Sequence, residues 1–391
     1  MMLRSLVCAL LLVAADAAAA DFQNLAENLV GVDQGVFVQA EDGRVLAAVQ
    51  ARRPFHPASL SKIPTTLALL EALGPEYRFA TKVLHTGGRD GAAVDGDLLI
   101  RGGGDPYLIS ESGLLIAAAL KSRGIAKIRG RVRVEGPLFF NWHEQGAAAL
   151  VATITGSAGE EAFAAARALD PELVGTERAE LAIAVAGADL PKSSAQSLFA
   201  WRSPPLRRIL KELNTYSNNI FEPTVRVVGG KAMVQQAAQR AAPDLHAEEI
   251  RIDNAAGLGR TNRLSPRAVV ALLAALEARL AASGLLLRDV LPVAGVDPGT
   301  LAERFVAPEL RGVLVAKTGT IPSQRVSALA GVVNTERYGR VRFAILNHTI
   351  PVQEARRRQD ALVAELVREA GGVPLPYVVA SKSAISAFRL E

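Results

Sequence analysis

Cysteine is almost absent from this chain of 391 residues, and the scarcity excludes thiol chemistry. The one cysteine, Cys8, lies in an N-terminal segment with the pattern of a secretory signal. In that segment Arg4 precedes an apolar run from Leu6 to Ala15, which is too short to favour the alternative of an uncleaved membrane anchor, and small residues follow at 17–20. We therefore expect removal of residues 1–20 and a secreted, periplasmic protein with neither disulfides nor reactive thiols.

Histidine and aromatic residues are also scarce. Aromatic residues make up 5% of the chain and are not interleaved with basic residues, so we expect no nucleic-acid partner. The net charge of +5 suits anionic neighbours such as a cell-wall polymer. No metal and no other cofactor is expected, because no ligand spacing occurs among the five histidines, which are His56, His85, His143, His246 and His348.

Three short polar motifs are present, in a fixed order. They are Ser59-Leu60-Ser61-Lys62, Ser217-Asn218-Asn219 and Lys317-Thr318-Gly319. Each is a weak signal alone, but each occurs once, and their order is that of the penicillin-acylated serine enzymes. The first is predicted at the start of a helix and the third at the end of a strand. Together they indicate an enzyme that uses a serine nucleophile.

The spacing of the first motif has a physical reason. Residues three apart on a helix share a face, so the Lys62 amine can reach the Ser59 hydroxyl. A serine hydroxyl becomes a good nucleophile only when a base accepts its proton. We expect Lys62 to be that base, with its pKa lowered by burial and by the charge of Lys317. Backbone N–H groups at the helix start would face the developing oxyanion.

The second motif is predicted to lie in a loop after a helix. In extended backbone, Ser217 and Asn219 would point in the same direction because they are two residues apart. We expect Ser217 to relay a proton to the leaving amine and Asn219 to hold a substrate amide. The alternative for the motif taken alone is a polar turn.

The third motif continues as Lys317-Thr318-Gly319-Thr320, at the predicted end of an edge strand. The lysine and the hydroxyl groups of Thr318 and Thr320 are suited to binding a terminal carboxylate. Gly319 would let a substrate backbone approach closely, so a peptide could add to the sheet as a further strand.

Patterns of hydrophobicity predict the elements around these motifs. Two strands within 35–48 should form a hairpin with its turn at Asp42-Gly43, and a helix should run from Ser59 to Leu73. Three C-terminal segments should form an antiparallel meander. The predicted meander strands are GVLVAK, VSALAGVV and RVRFAILNH, and the further predicted helices are LRRILKEL, about 264–284 and about 353–370.

The whole mature chain resembles the class C low-molecular-mass penicillin-binding proteins, the D-alanyl-D-alanine carboxypeptidase/endopeptidase family. The resemblance implies Ser59 as the acylated nucleophile, Lys62 as base and Lys317 among the carboxylate-binding groups. It implies peptidoglycan stem peptides as substrates, β-lactams as covalent inhibitors, and an oxyanion hole made by the N–H groups of Ser59 and Thr320. The segments that carry it are PASLSK, LGPEYRFATKV, LLIRGGGDPYL, GIAKIRGRV, SPPLRRILKELNTYSNN, LPVAGVD and AKTGT.

The resemblance also implies the fold and its division into domains. The fold class is α/β, a transpeptidase domain like that of penicillin-binding proteins and β-lactamases, with an antiparallel sheet flanked by helices and a smaller inserted domain. We expect residues 21–80 and 196–391 to form the catalytic domain and 81–195 the insertion, without a third domain. The C-terminal SKSAISAFRLE is expected to pack onto the protein, with weak membrane association as the alternative.

Three segments depart from the family pattern. Pro64 is expected to loosen the turn after Lys62. Ala255 and Ala256 replace the usual glycine and serine of one block, and Phe221-Glu222-Pro223 follows the second motif where the family has Ala-Glu. Two alternatives stay open. One is a serine β-lactamase, for which the sequence offers no assignable deacylating glutamate, and the other is a catalytically weak wall-binding scaffold.

Overall fold

In the computed structural model, the residues that the structure describes are 21–179, 181–183, 194–379 and 383–391. The predicted signal segment lies outside them. They fall into two compact units, the first made of 21–74 and 210–379, the second of the described part of 75–209 with 383–391. Within these ranges no helix is both long enough and apolar enough to cross a membrane.

Strands and helices alternate irregularly along the chain. The strands are β1 (Gly35–Gln39), β2 (Val45–Val49), β3 (Ala80–His85), β4 (Arg89–Asp90), β5 (Ala93–Val94), β6 (Leu98–Arg101), β7 (Lys127–Ile128), β8 (Val132–Glu135), β9 (Ala182–Ile183), β10 (Gln196–Arg202), β11 (Ile250–Arg251), β12 (Arg263–Leu264), β13 (Leu314–Ile321), β14 (Val326–Thr335), β15 (Gly339–Asn347) and β16 (Arg389–Leu390). The α-helices are α1 (Lys62–Leu73), α2 (Ser110–Ser122), α3 (Ala147–Ile154), α4 (Glu160–Leu169), α5 (Pro171–Val174), α6 (Leu206–Thr215), α7 (Phe221–Val228), α8 (Gly230–Ala241), α9 (Pro266–Ala281) and α10 (Val352–Ala370).

The first unit is built on one antiparallel sheet, in the order β13-β14-β15-β1-β2. This confirms the predicted meander and hairpin. The outer edge of β13 is partly covered, because Ala316 N–H donates to Pro292 O at 3.1 Å and Ala294 N–H donates to Leu314 O at 3.0 Å. The third motif lies beyond these contacts, at residues 317–319 of this edge strand.

Helices cover both faces of this sheet. Because side chains alternate along a strand, Val36 and Val38 of β1 share one face, where they belong to the same core as Leu362 and Leu366 of α10. On the other face, a Cβ added to Gly35 would lie 2.8 Å from the ring of Pro266, the first residue of α9. Glycine at this position therefore lets β1 and α9 approach closely.

Helix α1 contains Lys62, the last residue of the first motif, and is buried on all sides over its first nine residues, 62–70. Such a helix is held by packing all round. It begins at Lys62, three residues later than predicted, since residues 58–61 form a 3₁₀ turn. Pro64 therefore lies in the first turn of the α-helix, where a backbone N–H would have no intrahelical acceptor, so the missing N–H of proline costs no hydrogen bond. The expected loosening by Pro64 finds no support in this geometry.

The second unit contains a mixed sheet in the order β16-β10-β3-β6-β8 and a small sheet in the order β4-β5-β7-β9. Among the strands that the structure describes in this unit, β6–β8, β5–β7 and β7–β9 pair in parallel. The Trp201 indole of β10 stacks on Phe388, with centroids 4.9 Å apart. Residues 383–391 are thus packed against the protein, as expected for the C-terminal segment.

Backbone pairing divides the chain at other positions than the predicted ones. The sequence assigned residues 196–391 to the catalytic domain, whereas β10 pairs with β3 and the C-terminal β16 pairs with β10. Contacts accordingly group 75–209 with 383–391. The paired strands lie far apart in the sequence, so their pairing cannot be predicted from local composition.

Asp105 anchors the interior of the second unit, and we predict that it is critical for stability. The residue is 2% exposed, and its carboxylate accepts hydrogen bonds from Tyr107 N–H at 2.8 Å and from Trp201 Nε1–H at 3.2 Å. Asp105→Ala would leave buried donors unsatisfied and is expected to lower the free energy of unfolding by about 2–4 kcal/mol in urea denaturation. Asp95→Ala is the control, since that half-exposed carboxylate pairs with Arg129 at the surface and should contribute less than about 1 kcal/mol. Equal losses for the two variants would contradict the prediction.

Candidate active site

The first motif lies on the 3₁₀ turn that precedes α1. With three residues per turn, this conformation places Ser59 and Lys62 on the same side. The Lys62 amine lies 2.8 Å from Ser59 Oγ. A hydrogen bond also fixes this turn to another segment: Asn262 Nδ2 donates to Ser61 Oγ at 2.8 Å. The serine and the base predicted from the spacing therefore touch.

Lys62 is completely buried, and two further oxygen atoms surround its amine. It donates to Ala256 O at 2.6 Å and to Asn219 Oδ1 at 3.2 Å. Burial lowers the pKa of the Lys62 amine to about 7, so a large fraction is neutral near neutral pH. A neutral amine that donates to these two oxygens keeps its lone pair for the proton of Ser59.

The second motif follows α6 in a left-handed turn. Ser217 has φ +54°, so the prediction of extended backbone is wrong at this point. The side chains converge through tertiary contacts instead: Ser217 Oγ accepts from Lys317 Nζ at 3.0 Å, while Asn219 meets Lys62. Buried Asn214 anchors the end of α6, since its Nδ2 donates to Thr66 Oγ1 and to Val290 O, both at 3.0 Å.

The third motif lies within β13 rather than at its end, because the strand continues to Ile321. The side chain of Lys317 is buried and also donates to Thr318 O at 2.9 Å. Burial and the nearby charge of Lys62 lower the pKa of Lys317 well below its ordinary value. A Cβ at Gly319 would lie 2.7 Å from Pro57 O and 3.0 Å from Ser59 N, so only glycine lets the strand approach the nucleophile turn this closely.

The structure thus brings seven of the eight predicted site residues into one contact network, and places the eighth, Thr320, next along β13. Thr320 Oγ1 accepts from Arg356 Nη2 at 3.3 Å. Neither this arginine nor the carbonyl of Ala256 was among the site residues predicted from the sequence. A carbonyl is present whatever the side chain, so alanine at position 256 retains the contact to Lys62, and no sequence pattern marks it. Arg356 belongs to no sequence motif either, and nothing in the sequence distinguishes it from the other arginines of α10.

A family model shows where this chain belongs. The model of the D-Ala-D-Ala carboxypeptidase 3 (S13) family matches residues 12–148 and 154–368. The chain belongs to this family. Membership confirms the predicted resemblance and the predicted enzyme class, a serine-type D-Ala-D-Ala carboxypeptidase with DD-peptidase activity.

Individual relatives agree with the S13 assignment. The carboxypeptidase DacB of Mycolicibacterium smegmatis is 27% identical over 395 residues, which cover 88% of this chain and 82% of the relative. The D-alanyl-D-alanine carboxypeptidase DacB of Haemophilus influenzae is 34% identical, but over 89 residues, 23% of this chain and 18% of the relative.

Solved structures confirm the predicted fold class. A penicillin G-acylated endopeptidase of Bdellovibrio bacteriovorus, Bd3459 in complex with an immunity protein, has a TM-score of 0.76 at 22% identity, covering 91% of this chain and 99% of that one. Penicillin-binding protein 4 of Haemophilus influenzae has a TM-score of 0.62 at 18% identity, covering 88% and 99%. At these identities the likeness establishes the fold.

Proposed function

We propose that this S13 protein cleaves peptide bonds after D-alanine in peptidoglycan stem peptides through an acyl-enzyme on Ser59. One observation carries the proposal: a buried lysine amine, with its pKa lowered to about 7, contacts the serine hydroxyl at 2.8 Å. A base with a pKa near the working pH is best suited to proton transfer. Both terminal D-alanine and cross-linked peptides would be substrates, and β-lactams covalent inhibitors.

The site supports a complete reaction sequence. Lys62 accepts the proton of Ser59, and Oγ attacks the carbonyl carbon of the penultimate D-alanine. The N–H groups of Ser59 and Thr320 hold the oxyanion. When the tetrahedral intermediate collapses, the C–N bond breaks and Ser217, which contacts Lys317, passes its proton to the leaving amine. The proton that Lys62 took from Ser59 then replaces the one lost by Ser217, which leaves Lys62 neutral again. Water attacks the ester and gives its proton to Lys62, and Lys62 passes it to Ser59 Oγ as the ester C–O bond breaks and the acid is released.

The first unit would be the catalytic one, since every residue of this network lies within 21–74 and 210–379. The second unit would correspond to the inserted domain. We further propose secretion into the periplasm, with residues 1–20 as the signal peptide, because the substrate is a cell-wall polymer and the N-terminal pattern fits export.

Labelling by a fluorescent penicillin tests the proposal. We expect a stable adduct that peptide mapping locates on Ser59 of the mature protein and that is absent from Ser59→Ala. Release of D-alanine from an acyl-D-Ala-D-Ala peptide should accompany it. Rapid lactam turnover without an adduct would favour the β-lactamase alternative. Neither adduct nor turnover of lactam or peptide would favour the scaffold.

A further inference from the structure

We propose that Arg356 provides the fixed positive charge that binds the carboxylate of the leaving D-alanine. The inference rests on the proposed function and adds to it a residue that determines specificity. A hydrogen bond from Arg356 Nη2 to Thr320 Oγ1 brings a guanidinium of α10 to β13, the strand of the third motif.

Helix α10 holds Arg356 at this strand by contacts one turn further along. Gln359 is completely buried, and its Nε2 donates to Ser327 Oγ at 3.2 Å and to Asn347 Oδ1 at 2.9 Å. Ser327 is the residue of β14 that pairs with Thr320 of β13. The start of α10 is therefore tied to the same sheet position that Arg356 contacts, which limits how far its guanidinium can move from Thr320.

Arg356 is half-buried, and the hydroxyl of Thr320 is the one acceptor the described residues give it. Its neighbours on α10 and in the same unit are different: Arg358 is paired with Glu354, and Arg304 with Asp360. A guanidinium carries five N–H donors in a planar fork that matches a carboxylate. In Arg356 most of these donors are available to an anion that lies along β13 beside Thr320.

Lys317, which the sequence assigned to carboxylate binding, is a weaker source of charge. Its amine is buried and donates to Ser217 Oγ and to Thr318 O. Burial and the nearby charge of Lys62 disfavour the protonated form of Lys317, so its pKa is lowered well below its ordinary value. The guanidinium of Arg356 offers a carboxylate a planar fork of N–H donors, which a lysine amine does not have. The hydroxyls of Thr318 and Thr320 would then orient a carboxylate whose countercharge is Arg356.

Two substrates that differ only in this carboxylate test the inference. We would measure kcat/KM of wild type and Arg356→Ala for an acyl-D-Ala-D-Ala peptide and for the same peptide with a C-terminal carboxamide. The variant is expected to lose about 10- to 100-fold on the acid, since it loses charge-assisted hydrogen bonds. It should change less than about threefold on the carboxamide. Arg357→Ala is the matched control: it removes the same charge from an exposed neighbour on α10 and should change neither substrate by more than about threefold.

The outcomes separate this inference from the proposed function. An equal loss on both substrates would assign Arg356 a structural role, and no loss on the acid would remove it from the subsite; either result overturns the inference while the proposed function stands. A wild-type protein that cleaves neither peptide and forms no penicillin adduct on Ser59 would refute both. Acylation of Ser59 by benzylpenicillin and by its methyl ester provides the same comparison without peptide turnover.

Discussion

Lys62→Met is expected to slow the acylation of Ser59 by penicillin by about a thousandfold. Methionine has nearly the volume of lysine and is apolar, so it can fill a fully buried position, but it cannot accept the proton of Ser59. The contacts of Lys62 with Ser59 Oγ, Asn219 Oδ1 and Ala256 O are lost together. The measurement is the second-order rate of adduct formation, with a thermal melt to show that the variant is folded.

The pH dependence of the wild-type acylation rate is a second test of Lys62 as the base. Burial lowers the pKa of Lys62 to about 7, and only the neutral amine accepts a proton. The acylation rate should therefore rise about tenfold per pH unit below pH 7 and level off above it. Lys231→Met, which removes an exposed lysine of the same unit, should leave both rate and profile unchanged. A folded Lys62→Met variant that retains the wild-type rate would refute Lys62 as the base.

Gly257→Ala is expected to lower the acylation rate by about a hundredfold. Gly257 has φ +84°, and a Cβ there would lie 1.9 Å from Ala58 O and 3.0 Å from Ser59 N. The added methyl group must push apart the nucleophile turn and the segment that carries Ala256 O. The Lys62 amine would then lose the carbonyl that orients its lone pair toward Ser59.

Gly259→Ala separates this clash from backbone strain. Gly259 has φ +82°, so both substitutions place alanine in the left-handed region, but a Cβ at position 259 meets nothing within 4 Å. We expect Gly259→Ala to cost stability and to keep the acylation rate within about fivefold of wild type. If the two variants lose activity equally, strain in the loop accounts for the effect and contact with the nucleophile turn does not.

Much of the fold follows from local patterns. The alternation of β1, the Asp42-Gly43 turn and the meander of β13 to β15 have the periodicities that antiparallel strands require. The N-terminus of α1 lies three residues later than predicted because the turn before Lys62 is 3₁₀, and both conformations place residues three apart on one side. That tolerance is why the contact between Ser59 and Lys62 could be predicted before its backbone geometry was known.

The sequence by itself determined the chemistry of this protein: a serine with a lysine three residues later, two further polar motifs in the required order, and the family they belong to. Side-chain type and short spacing carry that information. Only the tertiary structure decided how these groups are oriented and what completes the site. Ala256 contributes a backbone carbonyl, Arg356 reaches Thr320 from a distant helix, and β16 joins the second unit. Backbone groups are alike at every residue and long-range contacts form only on folding, so neither leaves a pattern along the chain.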